Sequence, residues 1–237
     1  MYAGKVYVRV QPFDEIWYTT TDGQPCRMTT VYSATTLTNT YGVNGGIIKY
    51  PEHDPVDGIT RLHSAVAWDS NIKTLILPIN CRYVPALQHS SGLTHIDLPA
   101  SITSLRGYQN FNDCPNFDGE LPATVTTLDN WALLGMWENS PTPRHLNVRA
   151  QIVRDSALSD NNLSSVTFSS AITAFDGTGQ LNYNPELRTI RIEATTFPSG
   201  WEYAASVDSH TTPSDGTFYL PYGCDLTNFP ASGRFST

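Results

Sequence analysis

The stretch Leu93-Thr94-His95-Ile96-Asp97-Leu98-Pro99-Ala100-Ser101-Ile102-Thr103-Ser104-Leu105, followed by Asn110-Phe111-Asn112-Asp113-Cys114-Pro115-Asn116, decides the fold. Its first part alternates polar and apolar residues with period two and ends in proline. That is the pattern of a short strand that points alternate side chains inward and then leaves its sheet. Ile102 to Leu105 forms a second β-like phrase, and the Asn/Asp-rich run after it is a polar turn.

Each of these parts recurs outward along the chain. Strand copies are Ile47-Ile48-Lys49-Tyr50-Pro51, Leu75-Ile76-Leu77-Pro78, Gly119-Glu120-Leu121-Pro122, Leu146-Asn147-Val148, Val166-Thr167-Phe168-Ser169, Ile190-Arg191-Ile192 and Phe218-Tyr219-Leu220-Pro221. With Tyr50, Leu77, Leu98, Leu121, Val148, Phe168, Ile192 and Leu220 as equivalents, the steps are 27, 21, 23, 27, 20, 24 and 28 residues. The second phrase recurs as Ile59-Thr60-Arg61-Leu62, Cys81-Arg82-Tyr83-Val84, Val125-Thr126-Thr127-Leu128 and Ile172-Thr173-Ala174-Phe175. It begins four residues after Leu77, Leu98, Leu121 and Phe168. The polar turn returns at Ser156 to Asn162 and Asn182 to Glu186. One such unit cannot bury its own apolar face, whereas stacked units join their faces into a continuous core. The repeat therefore predicts a solenoid of roughly eight coils of 20 to 28 residues.

The unit at 93–116 resembles the BspA-type leucine-rich repeat: a leucine, two polar residues, a short strand, proline, a Val/Ile-Thr phrase and a phenylalanine-cysteine turn. Glu15-Ile16-Trp17-Tyr18-Thr19-Thr20-Thr21-Asp22-Gly23 and Asn39-Thr40-Tyr41-Gly42-Val43-Asn44-Gly45-Gly46-Ile47-Ile48 are similar to that family's leader, and Tyr219-Leu220-Pro221-Tyr222-Gly223-Cys224 to its closing motif. The resemblance implies a β-rich, right-handed leucine-rich-repeat solenoid of parallel strands with little helix. Residues 1–46 would be an N-terminal strand and β-rich cap, 47–223 the solenoid and 224–237 a tail. Between 130 and 165 the repeat is degenerate and reads as carrying an insertion.

Bulk composition excludes several functions. The net charge is −8, and the 3 Lys and 11 Arg are scattered, so no basic stripe is present to neutralise nucleic-acid phosphates. No stretch reaches the roughly 18 apolar residues of a membrane span. Residues 1–12 lack a signal-peptide core, so the chain reads as either a mature form or one made without a signal. Cys26, Cys81, Cys114 and Cys224 show no CxxC or zinc spacing and read as free thiols. His53, His63, His89, His95, His145 and His210 form no HxxxH pair, and no GxSxG, Walker-A or GxGxxG motif occurs. Asp54-Pro55-Val56-Asp57-Gly58 has too few ligands for a calcium loop. The expectation is a protein that is not an enzyme, with no catalytic set, metal or cofactor.

Strand parity names the outward side chains: Thr74 and Ile76, His95 and Asp97, Asn147 and Arg149, Ser165 and Thr167, Thr189 and Arg191, Thr217 and Tyr219. Such a row is either a binding face or an ordinary solvated one. The candidate binding set is His95, Asp97, Asn147, Arg149, Thr189, Arg191 and Tyr219. Trp137, in the longest departure from the repeat, is added as an exposed aromatic anchor on an inserted loop. The Lys5-Val6-Tyr7-Val8-Arg9-Val10 strand either pairs with the cap or docks into another subunit, with Lys5, Tyr7 and Arg9 as its assembly residues. The family likeness implies an extracellular or surface-displayed recognition and adhesion protein for a protein or glycan on a host or particle surface. The alternative is a phage virion component attached through the N-terminal strand.

Overall fold

A computed structural model describes residues 73–77, 84, 87–106, 111–201 and 216–229, together with the backbone of strands 14–19, 25–31, 34–39, 47–49 and 62–64. Lys5, Tyr7 and Arg9, and the Asp54–Gly58 run, lie outside the described residues.

Strands β1 (Asp14–Thr19), β2 (Pro25–Val31) and β3 (Ala34–Asn39) form an antiparallel meander. β5 (Leu62–Ser64) joins β3 in parallel, so the chain that follows the leader contributes to the same sheet. Every other pairing is parallel. β4 (Ile47–Lys49), β6 (Thr74–Ile76) and β7 (His95–Asp97) make one sheet. β10 (Arg144–Val148), β12 (Leu163–Phe168), β14 (Thr189–Ile192) and β15 (Thr217–Tyr219) make another. We call these two the front sheets. Their registers pair Lys49 with Ile76 and Ile76 with Asp97, and likewise Val148 with Phe168 and Phe168 with Ile192. This is the alignment that the repeat predicted.

The second phrase builds its own parallel sheet: β8 (Ser104–Leu105), β9 (Thr127–Leu128), β11 (Ile152–Arg154) and β13 (Ala174–Asp176). The molecule is thus a leucine-rich-repeat-like parallel β-solenoid with almost no helix: among the described residues Trp201 alone is helical. No described helix is long and apolar enough to cross a membrane.

The coils hold together through their inward positions. On the front sheets Leu75, Ile96, Leu146, Val148, Val166, Phe168, Ile190 and Ile192 are buried, and the residues between them are partly or fully exposed. From the second sheet Leu105, Leu128, Val153 and Phe175 come in to meet them. Edge-to-face aromatic contacts run from Phe168 to Phe175 to Trp201 to Phe218, with centroids 5.0, 4.9 and 5.1 Å apart, and tie both sheets to the downstream end of the core.

Two readings of the sequence are corrected. Residues 119–121 are not a strand: Gly119 has φ +75°, outside the β region, although Asp118 N–H still donates to Thr94 O and keeps the coil in register. Nor does Trp137 leave the core with the insertion at 135–143, whose exposed residues are Glu138, Asn139 and Pro141 to Pro143. Trp137 is 1 % exposed and fills the space between its own coil and the previous one. Its indole Nε1–H donates to Phe117 O at 2.8 Å, and the Arg144 guanidinium lies over its ring at 5.3 Å. A Cβ at Gly119 would sit 2.6 Å from Trp137 Cζ2, so the glycine is what admits the indole. Trp137 is therefore a core residue and is removed from the candidate binding set.

Candidate functional site

Outward positions of β10, β12, β14 and β15 form two rows, because a parallel ladder in register puts equivalent residues side by side about 4.8 Å apart. One row runs His145, Ser165, Thr189, Thr217; the other runs Asn147, Thr167, Arg191, Tyr219. The structure thereby brings four of the sequence-predicted residues, Asn147, Thr189, Arg191 and Tyr219, onto one continuous face. Arg149, one residue past β10, keeps the alternation and is exposed on the same side.

Within these rows the side chains are organised. The Arg191 guanidinium stacks on the Tyr219 ring at 5.0 Å from its centroid, and Tyr219 is 46 % exposed. His145 bridges the rows: its Nδ1 lies 2.7 Å from Ser165 Oγ and its Nε2 lies 3.0 Å from Asn147 Oδ1. With the Asn147 carbonyl accepting from Nε2–H, Nδ1 is left to accept from the Ser165 hydroxyl. His145 was missed in the sequence because the strand was read as starting at Leu146. Extending the period-two pattern two residues back from Asn147 finds it.

His95 and Asp97 belong to the other front sheet, on β7. His95 Nδ1–H donates to Asp118 Oδ2 at 2.6 Å, and Asp118 Oδ1 accepts from Glu120 N–H at 2.9 Å. Asp97, Asp118 and Glu120 are all exposed, which makes this end of the face acidic. Asp118, too, escaped the sequence reading, since its coil was expected to start its strand at Gly119.

The arginines divide by partner. Arg154 pairs with Asp129 at 2.8 Å and Asp176 at 3.4 Å, Arg106 with Asp129 at 3.8 Å and Arg188 with Glu186 at 3.9 Å. Arg144 is held by Pro115 O and Trp137. Among the described residues, Arg149 and Arg191 are the arginines with no hydrogen bond or carboxylate partner. The downstream half of the face therefore carries two uncommitted guanidiniums among hydroxyls, an amide and an exposed aromatic ring.

A different arrangement occupies the turn edge. Cys114, Asn161 and Asn184 take equivalent buried places, each donating to a carbonyl of the previous coil: Sγ to Leu87 O at 3.0 Å, Nδ2 to Leu133 O at 2.7 Å and Nδ2 to Leu158 O at 3.0 Å. Asn161 Oδ1 accepts from Trp137 N–H, and Asn184 Oδ1 from the N–H groups of Asn161 and Leu163. Burial pushes the Cys114 thiol up to about 12, with the Asp113 charge adding to it, so the group is a buried ladder member rather than a nucleophile. Further out on this edge, Glu138 and Asp160 are held above the usual carboxylate range, both by burial and Glu138 also by the charges of Asp160 and Asp113. No group of three or more potential metal ligands stands together among the described residues.

No family model and no curated protein matches the chain. Among solved structures it is similar to a leucine-rich repeat protein from Bacteroides ovatus, at 11 % identity and a TM-score of 0.33, over 94 % of this chain and 77 % of that one. The parallel registers and the buried turn-edge ladder define the solenoid.

Proposed function

We propose that the chain is a non-enzymatic recognition protein, displayed outside the cell, that binds a macromolecular partner through the outward face of β10, β12, β14 and β15. One observation carries this reading. The two rows place Asn147, Thr167, Arg191 and Tyr219 beside His145, Ser165, Thr189 and Thr217 on a rigid ladder, with an arginine and a tyrosine exposed among short polar groups. Arginine and tyrosine are the side chains that most often anchor interfaces, and a rigid sheet orders them at little entropic cost. His145 and Ser165 resemble part of a nucleophile-and-base set. They lie on an open sheet face, however, and the amides flanking Ser165 belong to the ladder with β10 and β14. The BspA-type resemblance favours bacterial surface display. Carriage on a phage particle would present the same face, and fractionation of cells and particles separates the two.

The test is binding of labelled protein to bacterial and host-cell surfaces by the wild type, by an N147A/R191A/Y219A variant and by a T103A/Q151A variant at exposed residues just before β8 and β11 of the other sheet. Loss of at least tenfold in the first variant alone is expected. Retention there, with loss in the second, would move the binding face.

A further inference from the structure

We infer that the partner of this face is a linear acidic polysaccharide, engaged through Arg149 and Arg191 with Tyr219 as a ring platform. The inference rests on the reading that this face binds, and adds the chemical class of what it binds.

The argument begins from charge. On a chain of net charge −8, other described arginines are answered by a carboxylate or a backbone carbonyl, while Arg149 and Arg191 are not. Neither guanidinium is neutralised within the fold, so the charge of each is open to an outside anion. Stacked on Tyr219, Arg191 is ordered before any ligand arrives, and its planar fork suits a carboxylate or a sulfate. The two arginines lie two rungs apart, on β14 and at the exit of β10, with Thr167 on the strand between and Ser169 at that strand's exit.

Geometry then selects a polymer of rings. The hydroxyls of Ser165, Thr167, Thr189 and Thr217 and the amide of Asn147 repeat with the rungs, about 4.8 Å apart. A sugar ring in an extended chain is about one rung long, so successive rings meet successive hydroxyls while their acidic groups meet the arginines. A folded protein partner would instead favour a larger apolar centre, and Tyr219 is the one large hydrophobic exposed in these two rows. Charges opposing the ligand flank the face. Glu193 stands two residues beyond Arg191 on the same side, and Asp97, Asp118 and Glu120 line the upstream end. These place the ligand on the downstream half and make Glu193 a brake on affinity.

The experiment is titration of the full chain with size-defined hyaluronan and oligogalacturonate (carboxylate arms), with heparin fragments (sulfate arm), and with the carboxyl-reduced, neutral form of each uronate. Binding to at least one acidic arm, absent from its neutral form and weakened by added salt, is expected. R191A and R149A should each lower it at least fivefold, Y219A threefold or more, and E193Q should strengthen it about twofold, while E120Q leaves it within twofold. E193Q gives a gain that misfolding cannot mimic. Equal binding to neutral and acidic glycans, binding untouched by R149A and R191A, or no binding to any arm overturns the inference. If N147A/R191A/Y219A still loses cell-surface binding in that case, the face remains the binding face and only the ligand class falls.

Discussion

Cys114 and Asn161 fill the same slot on the turn edge of neighbouring parts of the solenoid, and they do different amounts of stitching. The Cys114 thiol makes one short contact, to Leu87 O, and a longer one to Asn112 O, with the Ser90 backbone amide beside its sulfur. Asn161 donates to Leu133 O and Ser159 O and accepts from Trp137 N–H. The two carbonyls also take the Met136 and Gly135 amides, so the group that depends on Asn161 is the Trp137 N–H. Between these two rungs stands Trp137, whose backbone N–H meets the ladder while its indole fills the core. The coil with the less regular sequence is therefore the one where the ladder and the core are most tightly joined. A Cys rung is a small apolar plug with a weak donor, whereas an Asn rung is a polar clasp.

Removing the indole should break this contrast most severely. Trp137→Ala empties a fully buried site and leaves Phe117 O without its donor, so a loss of about 3–5 kcal/mol in chemical denaturation is expected. Gly119→Ala, which drives a methyl into the ring, should also destabilise, and Trp137→Leu should relieve part of that cost in a double-mutant cycle. Simple additivity would show that the glycine serves only its φ of +75°.

The two rungs are compared next. Asn161→Ala should cost roughly 3 kcal/mol, and Cys114→Ala about 1 kcal/mol, because the first leaves the buried Trp137 N–H unpaired and removes two further bonds, while the second removes a weak thiol bond to a carbonyl that the Ser90 N–H also serves. Equal losses would mean that the slot is chosen for volume and not for hydrogen bonding.

Alkali should produce the smallest effect. The folded pKa of Cys114, about 12, lies above its ordinary 9.0, so the folded chain holds that proton more tightly. The associated stability is whole below about pH 9 and is lost as pH rises from there toward 12. Melting temperatures measured between pH 8 and 11 should fall more steeply for wild type than for Cys114→Ala. Site-resolved alkylation at pH 8.5 should leave Cys114 unmodified until the chain is unfolded. Rapid alkylation of the native protein at that site would contradict its burial.

Much of the fold was legible because the solenoid is nearly one-dimensional: each coil contacts its neighbours, so equivalences in sequence become neighbours in space. The pairing of Val148 with Phe168 and Phe168 with Ile192 follows from spacing alone. Less was legible at 130–153. There Ala150-Gln151-Ile152-Val153 serves as the second phrase, with Ala150 buried where the coils on either side have Val125 and Ile172, and it comes two residues sooner after the strand than in those coils. Nothing in the local sequence marks an alanine as a core position. Of the candidate site, Asn147, Thr189, Arg191 and Tyr219 were found by parity, whereas His145 was lost to a strand boundary.

The sequence by itself determined the repeat, the register and the inward and outward faces, since those depend on a period of two within strands and on the interval between them. Only the tertiary structure decided which residues of one coil meet those of another beyond that register. It put Trp137 inside by way of a glycine eighteen residues earlier, gave Cys114 and Asn161 a common place, and left Arg149 and Arg191 without carboxylates while pairing or capping others. Those outcomes depend on side-chain volume and charge brought together across coils, and no local pattern records such sums.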